Sequence, residues 1–143
     1  MRVALAHDYL TQRGGAERVV VAMHEAFPDA PLYTSLYEPA ATFPEFGTAD
    51  VRTTGLQRVA VLRRRHRLAL PLLARAFSRM QITDAATVLC SSSGWAHGVR
   101  TDARKVVYCH APARWLYQPT RYLGDRHGVA GLALAALAPA LRR

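Results

Sequence analysis

The run Val3-Ala-Leu-Ala6, a polar loop, the pair Gly14-Gly15 and then Ala16, Val19, Val20, Met23 and Phe27 at helical spacing constrain this chain more than any other stretch. Consecutive apolar residues without alternation suit a strand buried on both faces, as in a parallel sheet. The spacing that follows predicts a helix whose apolar stripe carries Ala16, Val19, Val20, Met23 and Phe27. The glycines fall where strand hands over to helix. Backbone without side chains lets a ligand come close there, and the first free N–H groups of the helix, backed by its dipole, can receive an anion. A plain strand-to-helix turn uses the same residues. The spacing is neither G-x-G-x-x-G nor G-x-x-x-x-G-K-[ST], so neither a dinucleotide fingerprint nor a Walker loop is claimed. Glu17, in the first turn, reads as a dipole-compensating residue.

With 143 residues, 50% of them hydrophobic, the chain fits one domain with a real core, and disorder is excluded as a description of the whole. Cys90 and Cys109 each end an apolar, strand-like run and read as small buried thiols. Together with His97 and His110 they follow no zinc spacing, which argues against a metal site. No cationic segment with an apolar core and cleavage site opens the chain, so a reducing cytoplasm is the expected location. The net charge is +9, and every basic residue except Lys105 is arginine. Arginine suits bidentate phosphate contacts, so a phosphorylated ligand, a nucleic acid and an anionic membrane surface are all admissible partners. The Ala- and Arg-rich usage also follows from nucleotide bias in a genome, which requires no ligand.

Further along, Leu32 to Tyr37 reads as a second strand, residues 38–47 as loop, and Asp50 to Thr53 as a short third strand. Leu56 to Met80 reads as helix broken near Pro71, with Leu68, Leu72, Leu73, Ala76, Phe77 and Met80 on its apolar face. Thr87 to Cys90 is a fourth strand, Ser91 to Trp95 a loop and helix start, and Lys105 to Cys109 a fifth strand closed by Ala111-Pro112. This alternation predicts an α/β fold: a doubly wound, mostly parallel, Rossmann-like sheet with right-handed crossovers. Ligands of such sheets lie beyond the carboxyl ends of the strands. That rule brings His7, Asp8, Tyr9, the glycines, Ser91 to Ser93 and His110 to one rim, with strands one and four flanking the crevice. The apolar segment Gly128 to Leu141 is shorter than the roughly 20 residues that span a bilayer, and is read as a buried helix whose covering segments are absent from this chain.

Three stretches coincide in order: His7-Asp-Tyr-Leu with Gly14-Gly-Ala-Glu-Arg18, then Ser91-Ser-Ser-Gly-Trp-Ala-His-Gly98, then Val107-Tyr-Cys-His110-Ala-Pro112-Ala-Arg-Trp-Leu-Tyr117. Together they resemble the N-terminal, acceptor-side lobe of a family-4-type glycosyltransferase of the GT-B fold, over essentially the whole chain. The resemblance implies a two-lobed enzyme that transfers a sugar from a nucleotide-sugar donor to a glycan or lipid-linked acceptor, with retention of configuration and no obligatory metal or other cofactor. Cell-envelope polysaccharide synthesis is the setting it suggests. Residues 1–143 would then be a truncated N-terminal Rossmann-like domain, and the C-terminal donor-binding lobe, with its paired glutamates, has no counterpart here. Carried over by position, Gly14 and Gly15 approach the donor diphosphate, and the helix they open could stabilise the leaving group. His110 lies beside the donor sugar, as the candidate catalytic and donor-binding side chain but not a general base. Asp8, Tyr9, Ser92, Ser93 and Arg114 are the acceptor-side candidates. Asp and Ser at such positions also cap their own loops, Arg114 also reads as a solvated arginine, and Trp115 and Tyr117 as packing residues.

A rival reading is a non-catalytic, basic α/β binding module. Its anionic partner would meet Arg58 and the run Arg63-Arg-Arg-His-Arg67. Aromatic interleaving and a nucleic-acid motif are absent, which argues against nucleic acid. Peripheral docking at the inner face of a membrane uses the same arginines with the apolar residues of Leu68 to Met80, and is compatible with the enzyme reading. A solvated helix face also accounts for them.

Overall fold

The computed structural model describes residues 2–111, and chain contacts set Met1–His110 off as one compact unit. It is an α/β fold whose five strands form one all-parallel sheet flanked by helices, the Rossmann-like arrangement the alternation predicts. The strands are β1 (Val3–His7), β2 (Leu32–Thr34), β3 (Val51–Thr53), β4 (Thr87–Ser92) and β5 (Arg104–Cys109). Their spatial order is β3-β2-β1-β4-β5. The chain therefore winds outward from β1 in one direction, then crosses to β4 on its other side. The switch point lies between β1 and β4, where the carboxyl ends leave a crevice.

All of β1 is buried, which explains its unbroken apolar run. Val3, Leu5 and His7 alternate onto one face, where Val3 and Leu5 join Leu10, Val20, Val21, Leu32 and Phe46 in a single core cluster. The first helix, α1 (Gly15–Ala26), covers this face with Glu17, Val20, Val21 and His24 buried. That stripe is rotated from the expected one: Val20 belongs to both, whereas Phe27 lies exposed beyond the helix end. The rotation has a polar cause, because Glu17 is drawn inward by backbone and side-chain partners described below. An apolar-only pattern could not register a carboxylate at a core position.

The predicted long helix is a series of short pieces: a 3-10 turn at Gly55–Arg58, α2 (Ala60–Arg64), a second 3-10 turn at His66–Ala69, and α3 (Leu70–Arg79). The break therefore comes before Pro71, which sits in the first turn of α3, where its missing N–H costs nothing. Leu73 and Phe77 form the buried stripe of α3, while Leu68 and Leu72 are exposed. Two strand limits also move. The second strand stops at Thr34, with Tyr37 rejoining only as an isolated bridge to Leu10, and β4 runs through Ser91 and Ser92, placing those serines in the sheet rather than the loop. Cys90 is buried, and burial pushes its thiol up to about 11, well out of the reactive range. Cys109 is exposed, contrary to the expectation of two buried thiols, because every residue of β5 is exposed.

Among the described residues no helix is long and apolar enough to cross a membrane. Nor is any group of three or more His, Cys, Asp and Glu side chains among them disposed to hold a metal ion.

Candidate functional site

Three parallel strands end side by side, β1 at His7, β4 at Ser92 and β5 at Cys109. In the ladder His7 lies opposite Ser91, and paired residues of parallel strands project to the same face. Their side chains consequently meet. Nδ1 of His7 lies 2.9 Å from the Ser91 carbonyl oxygen and 3.2 Å from Ser91 Oγ. A carbonyl only accepts, so the network assigns the proton to Nδ1 of His7, which donates. On its other side Ser91 Oγ is 2.8 Å from Nε2 of His110, the first residue after β5.

The same histidine reaches back to the glycine loop. Nε2 of His7 faces Oε1 of Glu17 at 3.7 Å, ion-pair distance and longer than a hydrogen bond. Oε2 of Glu17 accepts from the Gly14 N–H at 2.9 Å, and Oε1 accepts from Nε2 of Gln12 at 3.1 Å. A continuous chain of contacts thus runs Gly14–Glu17–His7–Ser91–His110, tying the start of α1 to the end of β5 across the switch point. Burial by itself would raise the Glu17 carboxyl. The His7 imidazole and the hydrogen bonds to the carboxylate outweigh it, and the group lies below the ordinary carboxylate range. His110 is held below the ordinary imidazole value, first by burial and next by the neighbouring His7.

The depressed carboxyl has a measurable consequence. A group whose folded-state value is lowered adds stability above its unfolded value, about 4.3 for Glu, and that stability is lost as pH falls through the folded value. The stability difference between the wild-type chain and Glu17→Gln is therefore expected to shrink as pH drops below about 4.3. Urea midpoints of both proteins across that range measure it. A difference independent of pH would mean that the ionised carboxylate is not what Glu17 contributes.

Asp8 occupies the crevice floor, fully buried. Its Oδ1 accepts from the N–H groups of Trp95 at 3.0 Å and Ala96 at 2.6 Å, and Oδ2 from the Ser93 N–H at 2.6 Å. In this structure it caps the loop that follows β4. Ser92, also buried, has its hydroxyl 3.0 Å from Nδ1 of His97 and 3.5 Å from Oδ1 of Asp8, while Ser93 is half-buried at the rim. Lys105 closes the loop from β5 by donating from Nζ to the carbonyls of His97 and Val99. Tyr9 stacks on His66, ring centroids 4.6 Å apart, and His66 in turn meets the Thr11 hydroxyl at 3.0 Å. The basic segment is therefore anchored against the loop after β1.

The two glycines differ. Gly14 is the N-cap of α1, and a Cβ there would lie 2.5 Å from Oε2 of Glu17, so the carboxylate that holds its N–H also excludes a side chain. Gly15 is exposed, and a Cβ there would meet nothing within 4 Å. The helical hydrogen-bond ladder begins with the Arg18 N–H on the Gly14 carbonyl, which leaves the N–H groups of Gly15 and Ala16 outside it at an open approach.

The expected rim residues Asp8, Ser92, Ser93, Gly14 and His110 are thus brought together, with Gly15 and Tyr9 beside them. Arg114, Trp115, Tyr117 and the segment Gly128 to Leu141 lie outside the described residues. Sequence reasoning passed over Glu17 as a site residue and chose Ser92 and Ser93 over Ser91. A signal for Glu17 existed: it stands three and four residues before Val20 and Val21, on their helical stripe, and at the N3 position from which a glutamate reaches back to the N-cap N–H. Comparison with protein-family models, with curated proteins and with solved structures found no match to this chain.

Proposed function

We propose that this chain is the acceptor-side lobe of a retaining, GT-B-type glycosyltransferase that moves a sugar from a nucleotide-sugar donor to a glycan or lipid-linked acceptor. The observation that carries the reading is the contact chain from Gly14 to His110, buried in its middle and partly exposed at both ends, which links the start of α1 to a rim histidine across the switch point. The open backbone at Gly15 suits a diphosphate, whose charge grows as the glycosidic bond breaks and is met by the N–H groups and dipole of α1. His110, neutral at its depressed value, suits a sugar oxygen better than it suits a phosphate. Asp8 acts by shaping the loop after β4, leaving Tyr9 and Ser93 as the rim groups for an acceptor. Retention follows by front-side attack assisted by the leaving phosphate, a step that demands no protein nucleophile and no metal. The donor is bound chiefly by a second lobe in this reading. The test is transfer from a panel of nucleotide sugars by a polypeptide carrying both lobes; a two-lobed form without transfer from any donor would leave the non-catalytic binding module as the better reading.

A second surface favours an anionic membrane as the place of work. Val59, Val61, Leu68 and Leu72 are 47%, 57%, 54% and 45% exposed, interspersed with exposed Arg58, Arg64 and Arg65. Arg63 does not belong to this set. It is half-buried, donating to the Gln57 carbonyl at 2.7 Å and facing Glu38 at 3.5 Å. Attraction of about 1 kcal/mol per basic residue near an anionic surface, added to partial burial of the apolar side chains, predicts salt-sensitive adsorption to anionic vesicles. Replacing Arg58, Arg64 and Arg65 with glutamate is expected to abolish sedimentation with vesicles rich in anionic lipid at low salt. Equal binding by the charge-reversed protein would remove this surface from the account.

A further inference from the structure

We propose that Ser91 is a positioning residue. Pinned by His7, its hydroxyl donates to Nε2 of His110 and holds that ring as the Nδ1–H form, which presents a hydrogen-bond donor to an oxygen of the bound sugar. The identity of that oxygen rests on the sugar-transfer reading; the state of the ring does not.

Ser91 is fully buried, and its hydroxyl has one proton and two ring nitrogens beside it. Nδ1 of His7 must donate, because it also meets the Ser91 carbonyl, which can only accept. Had Nε2 of His110 carried a proton as well, Ser91 Oγ would face two donors, and its own proton would be left without an acceptor among the described residues. Buried hydroxyls are rarely left so. The arrangement that satisfies every group sends the Ser91 proton to Nε2 of His110, across the shorter of the two contacts. A neutral imidazole with Nε2 accepting carries its proton on Nδ1. The neutral ring is the form present near neutral pH, since burial, and after it His7, keep His110 below its ordinary value. Nδ1 of His110 bonds to none of the described residues, and the ring is only partly buried at the rim, with Tyr108 tilted beside it at 5.0 Å.

This assignment gives His110 a definite chemistry. With Nε2 engaged by Ser91 and Nδ1 protonated, the ring has no free lone pair with which to remove a proton. It orients a ligand by donating. Glu17 lies one step behind: its carboxylate faces the far nitrogen of His7 at 3.7 Å, and that nitrogen makes no hydrogen bond among the described residues.

Nitrogen-15 spectra of the imidazoles in the full 143-residue chain, at mildly alkaline pH and without ligand, test the proposal. The His110 signals are identified by their loss in His110→Gln. The expected result is a protonated, pyrrole-type Nδ1 and an unprotonated, pyridine-type Nε2. A protonated Nε2, or two averaged signals from a mixture of forms, would overturn it. In Ser91→Ala the two nitrogens are expected to lose their distinct character and average; an unchanged Nδ1–H form there would overturn the role of Ser91. Should that variant not fold, the wild-type spectrum decides alone. None of these outcomes depends on sugar transfer, so failure of the enzyme reading and failure of this proposal are separately visible.

Discussion

Replacing Asp8 with alanine is expected to destabilise the domain by roughly 3–5 kcal/mol, the largest effect of any single polar substitution at the rim. The reason is the number of donors that depend on it. Its carboxylate takes the N–H groups of Ser93, Trp95 and Ala96, and Trp95 and Ala96 are themselves buried, so no water replaces the lost acceptor. Asparagine should be milder, at about 1–3 kcal/mol. Its carbonyl can still serve Trp95 and Ala96, but its NH2 would then face the Ser93 N–H, donor against donor. Urea unfolding of the wild type and both variants measures this ranking. A loss below about 1 kcal/mol in Asp8→Ala would contradict the capping role and return the side chain to the acceptor-binding candidates.

The architecture was legible in the sequence because it rests on periodicity and punctuation. The unbroken run of β1, the glycines before α1 and the short apolar strands with turn residues between them are local signals, and they were sufficient for a parallel, doubly wound sheet. Limits were less legible where pairing rather than composition decides them. Ser91 and Ser92 carry loop-forming residue types, yet they are strand residues because β1 and β5 extend alongside to His7 and Cys109. The pieces between Gly55 and Arg79 share one helical spacing of apolar residues and so read as a single helix broken near Pro71; the breaks between them lie beside contacts such as Tyr9 on His66 and Arg63 on the Gln57 carbonyl, which that spacing does not carry. The site was half legible. Strand-end rules brought Asp8, Ser92, Ser93 and His110 to one rim, but the links among them run between residues as far apart as His7 and Ser91, and no one-dimensional pattern carries a register. Glu17 shows the same limit from the other side. Its polarity hid it among exposed residues, although its helical phase marked it as interior.

Sugar transfer should disappear when Gly15 is replaced by tryptophan in a two-lobed form, fall when His110 is replaced by alanine, and be absent from residues 1–143 alone. Gly15 is the clean probe of the diphosphate approach. A Cβ there meets nothing within 4 Å, so lost activity at unchanged stability would report on ligand access, whereas a Cβ at Gly14 would lie 2.5 Å from the Glu17 carboxylate and disturb that contact as well. If the N–H groups at the start of α1 meet the leaving diphosphate, excluding it forfeits a transition-state contact of the kind that is worth about a hundredfold or more in rate. If His110 donates to a sugar oxygen, His110→Ala loses one hydrogen bond, so a fall of about tenfold is expected, falling on donor use and not on acceptor affinity. In the proposed reading a second lobe orients the nucleotide sugar, and orientation supplies several kcal/mol of a barrier of this kind, on the order of 7–11 in well-aligned cases, which is why residues 1–143 alone are expected to be inactive. The measurement is initial rates with a panel of nucleotide sugars for the two-lobed protein, both variants and the 143-residue chain. Full activity in both variants would remove the glycine loop and His110 from the donor site, and robust transfer by the chain alone would mean that one lobe suffices. Loss in Gly15→Trp with an unfolding midpoint equal to that of the wild type is the outcome that ties the open backbone at the start of α1 to the chemistry.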